Sequence, residues 1–166
     1  MAEVSLLTAE PEGIGGWLVL PLIGLVLTPL SLLYNLFANL LPGFRGDLWL
    51  ALTTPDSGFY SPYWPHYLVV SSVLDVALSV CSVLFLVAFL QRRREVPLLM
   101  TLFYLAGIAL GVFEFLSLRY FAGHVPLAQT TLAQGGLSQL VRSAVPALIW
   151  IPYFRSSVRV RNTFTR

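Results

Sequence analysis

Asp75, Glu114 and Arg142 are ionisable residues inside stretches otherwise apolar enough for a bilayer interior. A charge at the centre of a membrane helix costs about 2.5–3.5 kcal/mol on insertion scales, so such residues usually face a protein interior and find partners. Two carboxylates and one guanidinium admit three arrangements. Arg142 could offer a fork of donors to one carboxylate or both, a buried ion pair that holds helices in register. Because two acids against one base leave one charge unbalanced, one acid could be protonated, or a cation or ligand amine could complete a proton or solute site. In the third arrangement a helix turns toward a partner protein that supplies the missing charge.

The elements that must position these residues follow from hydropathy. The chain has 166 residues, 57% hydrophobic and 11% charged, with a mean hydropathy of +0.77. A soluble domain carries roughly 25% charged residues, so the composition is that of a membrane protein. Four apolar stretches, about 15–41, 67–90, 97–120 and 136–154, predict an all-α integral membrane protein: one domain, 1–166, of four helices in an antiparallel bundle. Pro21 and Pro29 interrupt the first stretch and Pro146 and Pro152 the fourth, which membrane helices tolerate. Met1–Glu12 carries Glu3, Glu10 and Glu12 but no basic residue, so the first stretch is expected to be retained as a span rather than cleaved as a signal peptide.

All ten basic residues are arginines. With four spans, one side of the membrane carries Arg92, Arg93, Arg94, Arg155, Arg159, Arg161 and Arg166; the other carries only Arg45 and Arg119. The positive-inside rule then places both termini in the cytoplasm. Residues 42–66 form the one sizeable outside loop, rich in aromatics suited to the headgroup layer. Within it Asp47–Leu52 reads as a short interfacial helix after Gly46.

Depth groups the charges. Counted at 1.5 Å per residue from the expected span ends, Asn35, Glu114 and Arg142 lie about 9 Å in and Asp75 about 12 Å. One layer in the outer half of the bundle could therefore hold Asn35, Asp75, Glu114 and Arg142. Small and polar residues repeat at three- and four-residue steps on each span, among them Gly107 and Gly111, which allow close helix approach.

Much chemistry is argued against. The single cysteine, Cys81, cannot supply a redox pair. His66 and His124 are expected in outside loops, which leaves no haem ligands between the helices and no zinc-protease helix. No glycine-rich phosphate loop precedes a cytoplasmic helix. The chain therefore reads as no enzyme, with no cofactor, no metal site and no nucleic-acid partner.

Gly13-Ile14-Gly15-Gly16-Trp17-Leu18 at one end, and Trp150-Ile151-Pro152-Tyr153-Phe154 with Arg159, Asn162, Thr163 and Phe164 at the other, resemble the opening and closing motifs of the family DUF2569. The resemblance implies a small multi-span protein of the bacterial inner membrane and assigns no reaction. Both motifs fall on the cytoplasmic side. Gly15-Gly16 would admit a close backbone, with Trp17 at the interface, while Arg159, Asn162 and Thr163 could bond to the first span or to lipid phosphate. A clasp between the chain ends and a docking site for a partner or lipid both fit. The function expected is a non-catalytic accessory or scaffold subunit in contact with membrane lipids and with a partner or a second copy. A small transporter or proton-coupled component using the charged layer is the alternative.

Overall fold

The computed structural model describes residues 13–125 and 129–165, with backbone alone for 129–134. The acidic N-terminal residues and Arg166 lie outside the described residues. All regular structure among these residues is helical.

A continuous helical stretch, Gly16–Phe44, opens the chain. Its regular α-helical part is α1 (Val19–Asn35), followed by a wider π turn at Leu36–Leu40 and a tight turn at Leu41–Phe44. A short helix, α2 (Gly46–Thr53), precedes α3 (Trp64–Leu90), α4 (Val96–His124), α5 (Gln129–Ser156) and α6 (Val158–Thr163). Helices α3 and α4 both start with proline in the first turn, where the missing N–H has no partner to lose. Helix α3 ends in a Schellman motif: Arg93 N–H bonds Ala88 O at 3.2 Å, Arg92 N–H bonds Phe89 O at 3.1 Å, and Arg92 takes the left-handed conformation, φ 55°.

Among the described residues three helices are long and apolar enough to cross a membrane: Gly16–Phe44, Trp64–Leu90 and Val96–His124. That is one fewer than the sequence led us to expect. Helix α5 has the length, 28 residues, but Ser138, Gln139, Arg142, Ser143 and its two prolines dilute its hydropathy. The helices also run past their expected ends, so both histidines move onto helices. His66 sits in the first turn of α3 and His124 closes α4.

The bundle is made of two antiparallel pairs, α1 with α3 and α4 with α5, joined through α3 and α4. Small residues set the α4–α5 distance. A Cβ on Gly111 would collide with Ser143, and one on Gly136 would come within 3.2 Å of the Phe115 backbone. Side chains are arranged inside out. Val69, Val73, Val76, Val80, Val83 and Val87 of α3 face outward, whereas Ser71, Asp75, Ser79 and Ser82 are buried. In water that distribution would be unstable; against hydrocarbon it is the stable one. Two apolar clusters close the ends of the bundle. One, at the chain termini, gathers Leu18, Leu25, Phe89, Met100, Phe154 and Phe164. The other, beside α2, gathers Leu36, Leu40, Leu52, Trp64, Leu68 and Phe121. Polar residues occupy the layer between.

Candidate functional site

Proline chemistry shapes the first part of the polar layer. Pro29 has no N–H to give the carbonyl of Leu25 one turn earlier. Ser82 of α3 donates its hydroxyl to that carbonyl at 2.8 Å, so a side chain from a neighbouring helix replaces the missing backbone bond. The sequence missed this pairing, although the four-residue offset from Pro29 to Leu25 points to it.

Asn35 stands where α1 gives way to the π turn. Its amide donates to Asp75 Oδ2 at 2.8 Å, and Asn39 donates to Asn35 Oδ1 at 2.9 Å. The wide turn keeps Asn39 over Asn35, a placement typical of π segments at working sites. Asp75 is 1% exposed and Glu114, on α4, is 6% exposed; the Asp75 charge is felt at Glu114. So Asn35 and Asp75 are joined by a hydrogen bond, and Glu114 is buried on α4 within range of the Asp75 charge. With the longer helices they also lie deeper. Asp75 is eleven residues from the start of α3, about 16 Å by rise, and Arg142 about 20 Å from the start of α5.

The ion pair with Arg142 does not form. Among the described residues the ion pair is Arg94–Glu95, at 3.3 Å on the surface. Arg142 precedes Ser143, which faces Gly111 of α4. At 3.6 residues per turn its side chain is therefore rotated off the α4 contact. It points into a cavity of about 690 Å³ between α1 and α4–α5, which it lines with Thr28, Ser31, Asn35, Tyr104 and Gln139. The walls are apolar, including Leu27, Leu30 and Phe103. A second, smaller cavity, about 380 Å³ between α3 and α4 near α2, is lined by His66, Tyr67, Phe113, Tyr120 and other residues. His124 does not line it; its Nδ1 lies 2.7 Å from the Tyr120 carbonyl.

At the opposite end the two terminal motifs meet. Gly16 has φ +54°, a conformation open to glycine, and the Arg159 guanidinium lies where a Cβ on Gly15 or Gly16 would point, 3.3–3.4 Å away. The Thr163 hydroxyl donates to the Gly13 carbonyl at 3.3 Å. Trp17 packs on Trp150 with ring centroids 6.4 Å apart, and Trp150 on Tyr153 at 5.6 Å. Phe164 is buried 5.0 Å from the Phe89 ring. Asn162 is half-buried on the same short helix, which Ser157 caps by accepting from Val160 N–H.

A family model described as a protein of unknown function, DUF2569, matches residues 11–165. The chain belongs to this family. It is 29% identical over 163 residues to inner membrane protein YdgK of Escherichia coli (strain K12), covering 95% of this chain and 97% of that protein. No solved structure matches. The DUF2569 match spans both terminal motifs, the polar layer and the groove, and with its apolar helices the chain is a membrane protein of that family. Among the described residues no three His, Cys, Asp or Glu side chains gather to hold a metal ion.

Proposed function

We propose that the protein is a non-catalytic accessory subunit of the inner membrane whose groove receives the membrane helix of a partner carrying an acidic residue. The observation that carries this reading is Arg142: a guanidinium midway along α5 that faces the groove and, among the described residues, makes no hydrogen bond or ion pair. A charge at that depth needs a counter-charge. Lipid phosphates lie at the interface, well away from the middle of α5. At that depth a second copy of this chain offers no exposed carboxylate among its described residues, because the acids within its long helices, Asp75 and Glu114, are buried. Along the first helical stretch, from α1 into the π turn, the groove runs from Gly24 to Asn39, about 22 Å, the scale of a membrane segment.

In this reading α5 is a fourth span, because it packs antiparallel along α4, itself apolar enough to cross. Both termini are cytoplasmic by the distribution of arginines. The Escherichia coli relative is named as an inner membrane protein.

The test is purification of the tagged protein from its own membranes in mild detergent, with a photocrosslinker at Leu30. A stoichiometric membrane partner, crosslinked through a segment bearing Asp or Glu and lost in Arg142→Leu but kept in part by Arg142→Lys, is the expected result. Recovery of the chain alone, or the same partner in Arg142→Leu, would overturn the reading.

A further inference from the structure

The smaller cavity, between α3 and α4 near α2, has aromatic walls. It holds about 380 Å³, and Tyr63, Tyr67, Phe113, Tyr120 and Phe121 line it together with His66. The rings meet both in parallel and at steep angles. Tyr67 lies 22° from the plane of Phe113 and 75° from that of Phe121, and Tyr63 stands at 86° to Tyr120. One wall is held from behind: Trp64 stacks on Phe121 at 3.9 Å, and its indole N–H donates to the Phe59 carbonyl at 2.9 Å. Single tyrosines at a membrane surface anchor in the headgroup layer. Here five rings line one space, the arrangement that recognises ammonium groups.

Charge says what fits. Aromatic faces are negative and attract cations. The buried acids add to that field, because the charges of Glu114 and Asp75 are both felt at Tyr67. Of the lining residues only His66 carries a basic group, and Arg142 lines the other cavity. An anion would be repelled. A neutral ring or an acyl chain would fit the walls and gain nothing from the acids. The cavity also opens toward hydrocarbon, since Val70 and Leu116 line it and are exposed. On α3 it runs from Tyr63 to Val70, about 10 Å from the helix end inward, which is headgroup level and just below. A cation with an apolar tail meets both conditions.

We propose that the aromatic box between α3 and α4 binds the ammonium headgroup of a zwitterionic phospholipid, with acyl chains against Val70 and Leu116 and Glu114 as the counter-charge. The site is separate from the groove that Arg142 faces and stands whether or not a partner fills that groove.

The experiment is native mass spectrometry of the purified full chain, delipidated in detergent and titrated with phosphatidylethanolamine. A tight site is expected, which phosphatidylglycerol with the same acyl chains does not displace. Tyr63→Leu and Tyr120→Leu remove rings that are exposed rather than core, and each should weaken binding about two- to fivefold. Tyr63→Phe should keep the affinity, and Glu114→Gln should lower it. Phe37→Leu removes an exposed ring that lines neither cavity and should change nothing. Wild-type affinity in both Tyr→Leu variants, or in a folded Glu114→Gln chain, would overturn the proposal. So would an equal loss in Phe37→Leu, or displacement by phosphatidylglycerol. Free ethanolamine competing as well as the lipid would assign the site to a soluble amine and overturn the lipid as its occupant.

Discussion

Ser82 donates to the carbonyl that Pro29 leaves open, so the two residues form one functional pair across α1 and α3. Ser82→Ala removes the donor and strands a buried acceptor, a loss of about 1–3 kcal/mol. Putting alanine at position 29 restores a backbone N–H for Leu25 and should recover most of that loss. Chemical unfolding of the two single variants and the double variant forms the cycle that checks this; additive losses would refute the pairing. Asn35→Ala should likewise loosen α1 from α3, because it removes the Asn35 amide that donates to Asp75 across the two helices.

At the scale of elements, Arg92 is a non-glycine residue in the left-handed conformation at the end of α3. Arg92→Gly should stabilise the protein by about 1 kcal/mol, read as a higher unfolding midpoint, since glycine carries no Cβ penalty there. Gly111→Val should do the reverse, forcing α5 off α4 at Ser143. Helices, the approach of Asn35 to Asp75 and the burial of Glu114 were legible because hydropathy and three- and four-residue spacing report burial directly. The direction of Arg142 was not. It depends on which face of α5 the small residues press against α4, and a stripe of small residues does not name its partner helix. Helix ends were set too short for a similar reason. Trp64, Pro65 and His66 read as loop by composition, yet Pro65 starts a helix and Trp64 stacks on Phe121 at 3.9 Å.

For the molecule as a whole, the two end clusters and the polar middle divide the work of stability. The clasp belongs to the end cluster, with Val160 and Phe164 buried against Leu18 and Phe89. Phe164→Ala should cost about 3–5 kcal/mol, seen as a drop in Tm. The Gly13 carbonyl is held by a hydroxyl 150 residues further along the chain. A ribosome adding about 5–20 residues per second needs roughly 8–30 s to cover that distance. During that interval α1 and α3 can already be paired while α5 is still to come, so the groove begins as an open side rather than a slot. A partner helix inserted in the same period meets no gate, and the final turn of synthesis closes the clasp behind it.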